Sequence, residues 1–168
     1  RSVGWVPWPT TLSANSKPMT ESAGRSVFVT GARKGLGRAA VEHYLACGWQ
    51  VAGCSRRSTD LTHERYTHYE ADVADERAIC TALRESAKQH GRLDLLVNNA
   101  GIAAMNAVLL TPSSSARKVL ETNVLGGFHA LREAGKIMMR QKAGRIVNFS
   151  TVAVGLDGFH GRAQLDVI

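Results

Sequence analysis

Three glycines and four cations carry the most specific chemistry in this sequence. Thr30 to Gly37 reads TGARKGLG, which puts glycines at Gly31, Gly35 and Gly37. The β-rich run SVFVT, 26–30, precedes the loop, and Leu36, Ala40, Val41, Tyr44 and Leu45 follow it at helical spacing. A strand, a glycine turn and a helix in that order suit a dinucleotide diphosphate. Gly31 permits the sharp turn out of the strand, Gly35 lets backbone amides approach the anion, and Gly37 lets the helix pack closely on the sheet. The helix, with Leu36 in its first turn, then aims its free N–H groups and positive dipole end at the phosphates. Turns are often glycine-rich without binding anything, but a βαβ context on both sides favours a site.

The charges around this loop select between dinucleotides. An NAD site usually places an acid at the end of the second strand, where it holds the ribose 2′-hydroxyl. Here that end reads Cys54-Ser55-Arg56-Arg57 and has no acid, while Arg33 and Lys34 sit in the loop itself. Cations gathered near the adenosine ribose would pair with a 2′-phosphate, and Arg can do so bidentately. NADP(H) is therefore expected in preference to NAD(H), with Ser55, Arg56 and Arg57 beside the phosphate. The plainer alternative is that Arg56 and Arg57 are solvated loop charges.

The elements that must hold these groups alternate along the chain. Strands are expected at 26–30, 49–55, 66–72, 93–101 and 145–151. One helix follows the glycine loop and closes at Gly48. A second, capped by Asp75, carries Ile79, Ala82, Leu83 and Ala87 and ends at Gly91. A long helix opens at Pro112 and the serines 113–115, places Leu120, Val124, Phe128, Leu131 and Met138 on its apolar face, and ends at Gly144. Alternation of this kind demands right-handed crossovers and a parallel sheet with helices on both faces, an α/β, Rossmann-like, doubly wound fold. The apolar runs SVFVT and DLLVN suit strands buried on both faces.

Five motifs in order resemble the short-chain dehydrogenase/reductase family over about residues 25–155. Thr30-Gly31-x-x-x-Gly35-x-Gly37 is similar to its cofactor loop. Asp72-Val73 is similar to the pair that contacts adenine, and Asn98-Asn99-Ala100-Gly101 to the motif that steadies the sheet and borders the cofactor. Glu121-Thr122-Asn123 resembles the helix segment bearing the active-site Asn. Gly144-Arg145-Ile146-Val147-Asn148-Phe149-Ser150-Thr151 resembles the strand that delivers the catalytic Ser. The resemblance implies hydride transfer between a nicotinamide and a carbonyl or alcohol carbon, with a 3-oxoacyl thioester or small ketone as substrate. It implies strand order 3-2-1-4-5, with the fifth strand at an edge where complete members add two more. It also gives Asn123 a role in holding a relay water. The residue itself supports a special role, since a polar side chain between Leu120 and Val124 in mid-helix needs a partner.

The sequence also departs from that pattern. Thr151 falls at the Ser position with Ser150 just before it, and only one of the two can face the site because a one-residue shift flips the face. The family's Tyr and Lys, four residues apart, are absent. The segment after Thr151 reads VAVGLDGFHGRAQLDVI, with Gln164 or Leu165 where the Tyr belongs and Ile168 near the Lys position. His160, in a Gly-flanked stretch, has nothing to orient it as a substitute acid. The expectation is a reductase cut or frameshifted before its acid, with little turnover of its own. The alternative is a catalytically silent nucleotide-binding protein with a regulatory or interaction role. The DNA beyond codon 163 separates these readings.

Composition bounds the rest. The chain has 168 residues, 44% of them hydrophobic, which is enough for one globular domain. Residues 1–23 hold three of the four prolines and two of the three tryptophans and show no period, so a disordered leader is expected there, with a Rossmann domain over 24–168. The net charge is +7, but no block of five like charges occurs, which argues against nucleic acid as a partner. No apolar run is long enough to span a membrane. Cys47, Cys54 and Cys80 fit neither a disulfide framework nor a zinc site, so reduced thiols and a cytoplasmic setting are expected. An apolar, unpaired fifth strand and a long helix without its partner predict a homo-oligomer or an aggregation-prone chain.

Overall fold

β1 (Ser26–Thr30) is buried at every residue, as a central strand must be. It pairs in parallel with β2 (Gln50–Ser55) on one side and β4 (Leu95–Asn98) on the other. β3 (Tyr66–Glu70) lies outside β2, and β5 (Arg145–Asn148) lies outside β4. The order is β3-β2-β1-β4-β5, all parallel, as expected from the sequence. These elements come from a computed structural model that describes residues 24–104 and 108–150. The expected leader 1–23, Thr151 and the residues after it lie outside the described residues.

Alternation along the strands sends side chains to two separate layers. Phe28, Ala52, Cys54 and Leu96 point to one face and meet α2 (Glu76–His90) and α4 (Gly127–Gln141) through Ile79, Leu83, Ala130, Ala134 and Met138. Val27, Val29, Val51, Leu95 and Val97 point to the other face and meet Val41 and Leu45 of α1 (Gly35–Ala46), with Trp49. The helix limits follow local chemistry. The Asp75 carboxylate accepts from the Ala78 N–H at 3.0 Å and caps α2, and Gly91 ends it in the left-handed region.

Strand ends and one helix face differ from the expectation. The third, fourth and fifth strands stop two or three residues early. At β4 the cause is visible: the Asn99 and Ala100 N–H groups both donate to Thr30 Oγ1, at 2.9 Å each, and leave the ladder. The long helix comprises α3 (Ser113–Leu120), a π turn (Glu121–Gly126) and α4. Met138 is buried as expected, but Leu120, Val124, Phe128 and Leu131 are 38–51% exposed. The buried face instead carries Val119, Gly126, Ala130 and Ala134. Small residues let the helix approach: a Cβ on Gly126 would lie 2.7 Å from Val73 Cγ2.

The buried face also holds Glu133, whose carboxylate accepts from Arg84 of α2 at 2.6 and 3.1 Å and from Lys136 at 3.4 Å. The Arg84 guanidinium holds this carboxyl below the usual glutamate range. Two amide side chains tie the same long helix to the segments flanking β4. Gln141 accepts from the Leu93 N–H and donates to the Leu93 carbonyl, at 2.9 Å each. Asn123 does the same to Ile102, at 2.8 and 2.9 Å.

Candidate cofactor site

The site grows from the C-terminal ends of β1, β2 and β4. Gly31 leaves β1 at φ +69°, in the region that favours glycine. A Cβ on Gly37 would lie 2.2 Å from the Gly31 carbonyl oxygen and 2.6 Å from Asn99 Nδ2, so α1 abuts the turn as only a glycine allows. Asn99 locks this contact by donating its side-chain N–H to the Thr30 carbonyl at 3.0 Å. Lys34, at the N-cap of α1, is extended and gives no side-chain cap, so no side chain from that position covers the first-turn amides.

A cleft of about 730 Å³ opens beside this turn. Twelve of the fourteen residues expected to contact a cofactor line it. Gly31, Arg33, Lys34 and Leu36 come from the first turn, and Ser55, Arg56 and Arg57 from the end of β2. Asp72 and Val73 follow β3, and Asn99, Ala100 and Gly101 follow β4. Gly35 and Gly37 do not line it: Gly37 is buried under the turn, and Gly35 opens α1.

The cleft has a charged lip and a quiet floor. Arg33, Lys34, Arg56 and Arg57 are exposed and, among the described residues, make no ion pair. The neighbouring Arg38, by contrast, is engaged by Glu42 at 2.6 Å and Asp60 at 2.7 Å, which ties the segment after β2 to α1. Burial pushes the Cys54 thiol up to about 12, which leaves it protonated and unreactive. Ser55 turns its hydroxyl inward and donates to the Arg57 carbonyl at 2.5 Å. Asp72 accepts from the Ala74 N–H at 3.0 Å and shapes the turn after β3.

The residues expected at the reacting end are spread differently. The Asn123 amide oxygen accepts from the Ile102 N–H and its nitrogen donates to the Ile102 carbonyl, so this side chain fixes the segment after β4. Ser150 is exposed beyond the end of β5 and does not line the cleft. Thr151 lies outside the described residues.

Sequence reasoning placed Thr30 in the loop motif but gave it no role of its own; it lies under the turn and accepts two backbone N–H groups. A hydroxyl at the buried end of a central strand is a usable signal, because such a group must find partners. It also gave Cys54, Ala71, Ile102 and Thr122 no place in the lining.

Comparison with known proteins bears on this geometry. A family model described as short chain dehydrogenase matches residues 25–163. The chain is 33% identical over 150 residues to the 3-oxoacyl-[acyl-carrier-protein] reductase FabG of Staphylococcus aureus strain Mu50, covering 83% of this chain and 61% of that protein. It is 36% identical over 152 residues to the 2-(R)-hydroxypropyl-CoM dehydrogenase of Xanthobacter autotrophicus, covering 83% of this chain and 60% of that one. Among solved structures, ElxO with NADP bound superposes at TM-score 0.73 with 32% identity, over 80% of this chain and 58% of that one. The Thermoplasma acidophilum aldohexose dehydrogenase superposes at TM-score 0.72 with 29% identity, over 77% and 50%. The chain thus spans about three fifths of the length of the curated relatives it matches. With the glycine turn, the parallel sheet and the match over most of its residues, the chain belongs to the short-chain dehydrogenase family.

Proposed function

We propose that this chain binds NADP(H), in preference to NAD(H), as the cofactor-binding part of a carbonyl reductase. The observation that carries the reading is the group of four cations, without ion-pair partners among the described residues, around a cleft whose β2 end has no acid. A diphosphate fits the uncapped start of α1, where Gly31 supplies the turn and free N–H groups supply the donors. A 2′-phosphate fits Arg56 and Arg57, with Arg33 and Lys34 adding charge from the facing turn. Adenine fits beside Asp72 and Val73, and the Asn99-Ala100-Gly101 segment borders the opposite wall.

The nicotinamide, when bound, supplies hydride transfer to or from a carbonyl carbon. This chain's own residues bind and orient. Asn123 holds Ile102 in place at the inner end of the cleft. Ser150 or Thr151 would carry the hydroxyl that steadies the carbonyl oxygen. The 3-oxoacyl thioester class of substrate is supported by likeness to the Staphylococcus reductase, and a small ketone by the wider set of relatives. We further propose that the 168-residue chain turns over little or no substrate, since residues 152–168 contain neither Tyr nor Lys.

Replacing Arg56 tests the cofactor reading. Arg56→Ala should weaken NADPH about tenfold, the scale of one lost charge-assisted contact, and leave NADH within about twofold. Equal loss for both would place the 2′-phosphate elsewhere or nowhere.

A further inference from the structure

A directed chain of hydrogen bonds runs beneath the Arg56–Arg57 turn. The Tyr66 hydroxyl lies 2.8 Å from His68 Nδ1. The other ring nitrogen, Nε2, lies 3.0 Å from Ser55 Oγ and 3.1 Å from the Arg57 carbonyl oxygen. Ser55 Oγ donates to that same carbonyl at 2.5 Å. A carbonyl oxygen only accepts, so Nε2 must carry the proton. Nδ1 of the neutral ring is then an acceptor, and the Tyr66 O–H fills it. With a single ring proton, at Nε2, Tyr66 donates to His68, His68 donates to Ser55 and Arg57, and Ser55 donates to Arg57.

The two ends of this hydrogen-bond chain lie behind the two turns that bear the cations. His68 stands opposite Gly53 in the β2–β3 register. A Cβ on Gly53 would lie 2.5 Å from Ala32 Cβ and 2.7 Å from the Tyr66 hydroxyl. Tyr66 therefore rests near Ala32, inside the glycine turn that bears Arg33 and Lys34. The far end of the chain holds the carbonyl of Arg57. Neither His68 nor Tyr66 lines the cleft.

We propose that His68 is a positioning residue for 2′-phosphate selectivity, bracing the Arg56–Arg57 turn from beneath so that both guanidinium groups stay at the cleft lip. The proposal rests on the NADP(H) reading above. A surface turn bearing two long side chains is costly to order when a ligand binds. A turn already fixed by its own carbonyl loses less, and the gain falls on the phosphate that those side chains meet. A brace that served the sheet alone would affect every ligand of the cleft equally.

The test titrates the full chain and its variants with adenosine 2′,5′-bisphosphate and with AMP, and follows thermal unfolding in parallel. The wild type should favour the bisphosphate. His68→Leu should lose about tenfold in affinity for the bisphosphate and keep AMP within about twofold. His68→Gln, which restores an N–H donor toward Arg57, should recover most of the loss. Tyr66→Phe removes only the first donor. It should show a smaller loss with the same bias, and it serves if His68→Leu fails to fold. Equal loss of both probes, or no loss of either, overturns the inference. A wild type that does not distinguish the probes overturns the NADP(H) reading and this inference together. A discriminating wild type with unchanged variants overturns only the role of His68.

Discussion

Thr30 places one hydroxyl among three partners. It accepts from the Asn99 and Ala100 N–H groups and lies 3.3 Å from Asn98 Oδ1. Valine has nearly the same shape but cannot accept. Thr30→Val should therefore leave two backbone donors unpaired at a residue with no exposed surface, at about 2–4 kcal/mol of stability by chemical denaturation. Thr30→Ser should keep most of that. A Thr30→Val protein as stable as the wild type would show that water replaces the hydroxyl. At this scale, legibility followed range. Gly31 and Gly37 could be assigned their jobs in advance because those jobs concern the turn they stand in. Thr30 could not, since its partners lie 68–70 residues away in the sequence. Ser55 was legible as a cleft residue, but its inward hydrogen bond was not, because that depends on His68 from another strand.

The element least like its expectation is the long helix. Its apolar pattern is real, but the large residues point away from the sheet and the small ones point toward it. Periodicity finds a stripe and cannot tell which neighbour the stripe meets. Close approach to Val73 and to the sheet selects Gly126, Ala130 and Ala134. Leu120, Val124, Leu125, Phe128 and Leu131 are left in view, and Val147 and Phe149 are exposed at and just beyond β5, the edge strand. Exposed apolar side chains beside a strand edge that no described residue pairs favour association. We predict that the 168-residue chain is oligomeric or aggregates at micromolar concentration. A single monodisperse monomer by size-exclusion chromatography with light scattering would contradict this. Asn123 was legible as a polar residue needing a partner in a helix, whereas Gln141 was not singled out. Their shared use, each gripping the N–H and the carbonyl of one residue beside β4, appears only when the helix is laid along the sheet.

At the scale of the molecule, strand order decides where the cleft opens. β1 connects outward to β2 on one side, and β4 follows on its other side, so the helices diverge between their C-terminal ends. Open parallel sheets bind ligands at such a reversal. The β-α alternation made a parallel sheet with right-handed crossovers an expectation, and the family resemblance supplied the order. The strand limits were not readable, because residues such as Asn99 and Ala100 leave the ladder for a hydroxyl on another strand. The cations Arg33, Lys34, Arg56 and Arg57 reach one lip from two distant stretches of sequence, and this convergence carries the account. Its most direct test is a calorimetric titration of the 168-residue chain with NADPH and with NADH at low salt. The account predicts that NADPH binds at least about tenfold more tightly, with an advantage that shrinks as salt is added. Equal affinities, a preference for NADH, or no binding of either would contradict it.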